Sequence, residues 1–450
     1  MENIRNKKNI SILALFLVSI SVALAACNLF KQKQRNVIVI LIDTLRADHL
    51  SMNGYQRETS PVIDNFAAEN LNFKWALAPA PWTPASVASL FTGLYPSAHG
   101  MVPPNSRDTA IKHSVRLPSK WQTMAETFKN NGYYTAAFSS NPWIQELFGF
   151  TQGFDLFGYK ERAEAAVLTA KAKEIVQKWR ETEKEKPLFM YLHYLDPHNP
   201  YSPPAPYNTK FSGTVEGRVY PKKQQEFINQ YDGEILYTDT EIGKLFSFLK
   251  EEGIYDDAVI ILLSDHGEQF MERGHQGHGF DLYNEEVHVP LIVKANGKKG
   301  TVSDFVSAID IFPTIIELLK LKDPPPFLQG ISLFNSKELS KRAGVLSEIK
   351  RLKNQKSLTF KDGKKAIFEF SIDEPYRMDL PLPHSKQLMF DIFNDPMESS
   401  PLSDPTLAEE RKGSFLEIYK GVLSSKADEK DSQIKMDDKT IKELKTLGYM

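Results

Sequence analysis

Asn36-Val37-Ile38-Val39-Ile40-Leu41-Ile42-Asp43 places six apolar residues, five of them β-branched, between a polar lead-in and a carboxylate. An unbroken apolar run of strand length suits a strand covered on both faces, because a strand with one wet face would alternate. Val259–Leu263 reads the same way, as do residues 289–293, 135–138 and 188–192. Helix-length patterns fall between them, over residues 121–130, 161–181, 224–251 and 309–319. Strands alternating with helices predict an α/β sandwich around a mostly parallel central sheet. In such sheets ligands sit beyond the carboxyl ends of the strands, so chemistry is expected in the residues that follow each run.

After Pro324-Pro325-Pro326 the texture shifts to shorter alternating strands, within residues 345–358, 364–370 and 387–393. This predicts a large domain over residues 36–330 and a small C-terminal α+β subdomain with its tail over 331–450. The charged, apolar-poor stretch 424–438 is expected to be a mobile surface segment. At the other end, Arg5, Lys7 and Lys8 precede an apolar run over 10–26 that closes in Leu24-Ala25-Ala26-Cys27. A basic start, an apolar middle and small residues at the end predict a secretory signal, in a run too short for a membrane span. Cys27 is the only cysteine. Leu-Ala-Ala-Cys resembles a bacterial lipobox, in which the cysteine is lipidated and becomes the new N-terminus. That implies a signal over 1–26, a tether over 27–35, and an exported lipoprotein held at a bacterial membrane, in the periplasm or on the cell surface. Each buried methylene of such an anchor contributes about 0.8 kcal/mol. With Cys27 committed there, no thiolate is left to bind a metal. The formal net charge is −2 with acids and bases intermixed, which gives no nucleic-acid footprint.

Several chemistry-bearing residues follow the predicted strands. Asp43 closes the first run, where a carboxylate can hold a metal or cap a turn. Ser264-Asp265-His266-Gly267-Glu268 follows the 259–263 strand and offers an oxygen and an imidazole nitrogen to one cation, with Gly267 allowing a sharp turn. Asp196-Pro197-His198-Asn199-Pro200 holds His198 between prolines, which suits a rigidly aimed imidazole. Gly274-His275-Gln276-Gly277-His278-Gly279 presents two more imidazoles. His278 is a candidate proton donor, and His275 and Asn141 are candidates for a second metal or the substrate. Thr83 precedes a helix-like segment whose positive N-terminus favours phosphate or sulfate, although Ser86 and Ser89 offer hydroxyls too.

Taken in order, these segments resemble the sulfatase family of the alkaline-phosphatase superfamily. Residues 36–50 look like its opening motif. Thr83 to Gly93, followed by Tyr95-Pro96 and His99-Gly100, is similar to its nucleophile segment. Residues 264–268 and 283–292 match its second metal motif and the strand behind it. Asp310-Ile311-Phe312-Pro313-Thr314, residues 390–398 and Leu447-Gly448-Tyr449 also fit. The resemblance implies an alkaline-phosphatase-like fold and a divalent metal on Asp43, Thr83, Asp265 and His266. It also implies that His198 contacts the transferred group or the leaving oxygen. His278 is placed like the histidine of phosphoethanolamine transferases.

The sequence also departs from that family. A usual sulfatase carries Cys or Ser at the nucleophile position, oxidised to formylglycine, with Arg four residues on; here those positions are Thr83 and Val87. Threonine cannot give that aldehyde. The expected acidic pair of the first motif is Asp43-Thr44, one carboxylate short. Of Zn, Mn, Mg and Ca this favours Zn or Mn, since Ca²⁺ prefers six to eight oxygens. A directly attacking Thr83 hydroxyl is expected to favour phosphate over sulfate esters, with small molecules, glycans or lipids as substrates. A phosphoethanolamine or glycerol-phosphate type transferase and a catalytically silent surface-binding lipoprotein are the alternatives.

Overall fold

Every residue of Val37–Ile42 (β1) is buried, and its side chains go alternately to two cores. Val37, Val39 and Leu41 enter one; Ile38, Ile40 and Ile42 enter the other. That is the two-sided cover the apolar run predicts. The computed structural model describes residues 34–102, 113–215, 220–295, 297–351, 353–371, 384–424 and 433–446. The leader and Cys27 lie outside the described residues, as does the tether up to residue 33.

Asn36–Met450 is one compact unit. Its main sheet holds β1, β2 (Leu71–Leu77), β3 (Tyr134–Ser139), β4 (Leu156–Tyr159), β5 (Leu188–Tyr194), β6 (Val259–Leu263), β7 (His288–Val289), β8 (Leu291–Lys294) and β9 (Gly300–Ser307). The order is β7-β2-β8-β6-β1-β5-β3-β4, with β9 beside β2. From β6 through β4 every pairing is parallel. β8 then runs antiparallel to both β6 and β2. The run 289–293 is divided at Pro290, which has no N–H for the ladder; β7 ends before it and β8 starts after it.

α1 (Pro61–Glu69), α4 (Ala165–Thr182) and α5 (Lys222–Glu251) cover one face of this sheet. α2 (Thr83–Thr92), α3 (Met124–Asn130) and α6 (Ile311–Leu319) cover the other. This is an alkaline-phosphatase-like α/β/α sandwich. β1 lies between β5 and β6, with Val37 level with both Phe189 and Val259. Three parallel strands therefore release their chains side by side, at Asp43, Leu195 and Ser264.

The alternating strands after residue 330 form a second, antiparallel sheet: β10 (Gly344–Lys350), β11 (Asn354–Phe360), β12 (Lys364–Phe370) and β13 (His384–Asp391). α7 (Pro405–Leu423) packs on it through Phe415, stacked on Phe368 at 4.4 Å. A buried ion pair, Lys356 Nζ to Glu348 Oε1 at 2.8 Å, anchors this sheet to the residues after α2: Glu348 Oε2 also accepts the Ser97 backbone N–H at 3.0 Å. Part of the stretch expected to be mobile is held in place, since Gln433–Lys435 pairs antiparallel with His113–Val115. No helix among the described residues is long and apolar enough to cross a membrane.

Candidate active site

Asp43, Asp265 and His266 converge where β1 and β6 end. One ligand atom from each lies within 4.8 Å of the other two, and all three residues are buried. The loops that carry them are tied together. Leu45 N–H donates to Ser264 Oγ at 2.9 Å, and Ser264 Oγ–H donates to His266 O at 2.8 Å. Arg46 grips both loops. Its Nε and Nη2 bind Asp48 at 2.9 and 2.8 Å, while Nη1 donates to Glu268 O at 2.8 Å and Glu272 Oε1 at 2.6 Å. Thr44, between Asp43 and these anchors, has φ +54°, a left-handed conformation costly for a β-branched residue.

Thr83 opens the ten-residue helix α2 and is buried; its Oγ1 lies 3.0 Å from His266 Nε2. Ser86, one turn on, instead donates to Asp265 O at 2.7 Å, and Ser89 pairs with His99 Nε2 at 3.0 Å. The helix thus offers Thr83, and neither of these serines, to the cluster.

Gly267 is required for room rather than for a turn. Its φ is outside the left-handed region, but a Cβ there would meet Glu285 O at 2.1 Å. Gly267→Ala is expected to lose about 1–3 kcal/mol of stability as an overpacked site. Denaturant titration of the purified variant checks this, and an unchanged midpoint would remove the steric argument.

The hydrogen bonds fix the ring states. His266 Nδ1 faces Gly267 O at 2.9 Å and His198 Nδ1 faces Asn199 O at 2.6 Å, so each Nδ1 carries the proton in the neutral ring. His266 Nε2 then holds a lone pair, yet it lies 3.3 Å from Asp265 Oδ2. Two acceptors facing each other in a buried site call for a cation between them. Asp43 Oδ1 and Asp265 Oδ2 are buried and accept no hydrogen bond among the described residues. Asp43, Asp265, His266 and the Thr83 hydroxyl therefore fit a divalent cation.

Burial pushes the Asp43 carboxyl up, but the hydrogen bond from His193 outweighs this and leaves it below the ordinary range. Burial and the nearby Asp43 charge hold Asp265 above it. Burial also lowers His198 to about 4 and puts His278 well below the usual range, with His266 and His198 adding to the effect on His278. The His278 ring lies 4.3 Å from that of His266 and 5.0 Å from that of His198, and its Nδ1 is 3.3 Å from Glu268 Oε1.

Of the residues singled out in the sequence, Asp43, Thr83, His198, Asp265, His266 and His278 come together. Asn141 also joins, through Nδ2 donating to Asp43 Oδ2 at 2.6 Å. His275 does not; its half-buried ring stacks on Phe280 at 4.6 Å, and no described contact links it to the cluster. His193 is a residue the sequence reading missed: Nε2 donates to Asp43 Oδ2 at 2.9 Å, and Tyr191 OH stands 2.9 Å from Nδ1. The signal was present as a lone imidazole in the strand Leu-Phe-Met-Tyr-Leu-His-Tyr.

Comparison with known proteins places the chain in a family. The sulfatase family model matches residues 35–321. An arylsulfatase of Clostridium perfringens is 23% identical over 383 residues, covering 66% of this chain and 77% of that enzyme. The phosphatidylethanolamine transferase Mcr-2 of Escherichia coli is 26% identical over 327 residues, 66% of this chain and 57% of the transferase. The solved phosphonate monoester hydrolase of Agrobacterium radiobacter superposes with a TM-score of 0.67 at 21% identity, over 90% of this chain and 100% of that one. With the fold, the ordered motifs and the family match in agreement, the chain belongs to the sulfatase family and is a sulfatase-family hydrolase.

Proposed function

We propose that this hydrolase is metal-dependent, uses Thr83 directly as its nucleophile, and favours phosphate esters over sulfate esters. The observation that carries the reading is the setting of Thr83: a buried hydroxyl at the start of α2, 3.0 Å from His266 Nε2, in a position where formylglycine cannot form. The helix N-terminus favours the anionic ester in front of it. A divalent cation held by Asp43, Asp265, His266 and Thr83 would supply Lewis-acid polarisation of the ester and lower the pKa of the hydroxyl. Thr83 Oγ1 forms a bond to phosphorus as the bond to the leaving oxygen breaks. The hydroxyl proton passes through the His198–His278 pair to that oxygen. Water then attacks the phosphothreonine, and one of its protons returns to Thr83.

The test is a paired assay of purified protein against p-nitrophenyl phosphate, a p-nitrophenyl phosphodiester and p-nitrophenyl sulfate, with metals removed and added back. Turnover of a phosphoester that disappears with the metal is expected. Turnover of the sulfate alone would overturn the reading.

Head-group transfer is a second reading, supported by a cavity of about 220 Å³ beside His198. Asp196 and Glu234 on its wall are pushed by burial to about 7 and about 8, a setting in which a cationic amino group would hold them ionised. A phosphorylated acceptor alcohol among the products would favour transfer.

Export and anchoring through a lipid on Cys27 belong to the same proposal, supported by the leader and the Leu-Ala-Ala-Cys motif. Cys27→Ser is expected to move the protein from the membrane fraction to the soluble fraction. Unchanged sedimentation with membranes would count against the anchor.

A further inference from the structure

An ionised carboxylate offers about two lone-pair sites on each oxygen. In both carboxylates of the cluster, one oxygen is filled and the other is left open. Asp43 Oδ2 accepts Asn141 Nδ2 at 2.6 Å and His193 Nε2 at 2.9 Å. Asp265 Oδ1 accepts two backbone N–H groups, from Thr44 at 3.3 Å and His266 at 3.0 Å. Asp43 Oδ1 and Asp265 Oδ2 are the open pair.

We propose that Asn141 and His193 set the choice of cation: by filling both lone-pair sites of Asp43 Oδ2, they confine Asp43 to a single bond to the metal and select against Ca²⁺. This rests on Asp43, Asp265 and His266 being metal ligands. Ca²⁺ takes six to eight oxygens, often with a carboxylate binding through both of its own. Two carboxylates limited to one oxygen each, beside an imidazole, suit Zn²⁺ better.

The donors are themselves held in place. Asn141 Oδ1 accepts the Trp143 N–H at 2.9 Å, so the amide cannot flip and Nδ2 stays on Asp43. His193 and Tyr191 are two residues apart on β5 and share a face. The Tyr191 hydroxyl, kept protonated by burial, donates to His193 Nδ1 and leaves Nε2–H for Asp43.

The test uses the full chain, stripped of metal by chelator and titrated separately with Zn²⁺ and Ca²⁺ against a competing chromophoric chelator. The wild type is expected to bind Zn²⁺ on the order of 100-fold tighter than Ca²⁺ or more. His193→Ala and Asn141→Ala should each weaken Zn²⁺ binding about 10–100-fold and Ca²⁺ binding less, which narrows the ratio. His193→Gln, which retains an N–H donor, should recover part of the loss. Circular dichroism confirms folding; if His193→Ala does not fold, Asn141→Ala and His193→Gln decide. A wild-type Zn²⁺-to-Ca²⁺ ratio in the folded variants would overturn the proposal while leaving the ligand set standing. Wild-type protein that binds neither ion would overturn the ligand set itself.

Discussion

Thr83→Ala is expected to reduce phosphoester turnover on the order of 10⁴-fold or more, the scale on which loss of a covalent nucleophile acts. The substitution removes only Cγ2 and Oγ1 from the first residue of α2, and with them the 3.0 Å contact to His266 Nε2. Alanine is at home in a helix, so the fold should persist. Asp43, Asp265 and His266 remain, so metal content should fall little. Steady-state kinetics beside elemental analysis checks this. Turnover close to wild type would move the nucleophile to another residue. Thr83→Ser should keep activity, because the hydroxyl stays on the same backbone position.

Asp265→Asn is the second large effect. The mutant amide can keep its oxygen at the Oδ1 position, where the Thr44 and His266 N–H groups need an acceptor. Its NH₂ then takes the place of Oδ2, the buried oxygen left open toward the cation. A negative ligand is replaced by the positive end of an amide dipole. Metal affinity should fall by more than the roughly 10–100-fold typical of changes outside the ligand set. Elemental analysis after gel filtration should show occupancy well below wild type, with turnover partly restored by excess metal. Unchanged stoichiometry would remove Asp265 from the ligand set.

The strands that position the site were legible because burial on both faces leaves an unbroken apolar run, as in β1, β5 and β6. β2 and β9 carry no such run. Asn72 and Lys74 interrupt one and Ser303 and Asp304 the other, as expected where a strand is partly exposed. Asp43, Asp265 and His266 stood out because each follows a buried strand. Their meeting depends on β1 lying beside β6, a pairing of residues more than two hundred apart that no local pattern encodes. The fifth strand reads from sequence as ending at Leu192, whereas it runs on to Tyr194, and His193 was lost in those last two residues. His275 and His278 have the same glycine-flanked surroundings. A short hairpin separates them: Gln269 and Phe270 pair with Gly277 and Gln276, and Gly277 turns at φ +104°, leaving only His278 in the cluster. Asn141 was expected to hold a second metal or the substrate; the structure places its amide on Asp43.

In the proposed reaction Thr83 itself takes up the group transferred from a phosphate ester. The most direct test is rapid acid quenching of the metal-loaded protein during turnover of ³²P-labelled phosphomonoester, followed by peptide mapping. Covalent label is expected on Thr83 and absent from Thr83→Ala. Turnover with label on a different residue, or with no covalent label in a burst that leaves the enzyme saturated, would contradict it.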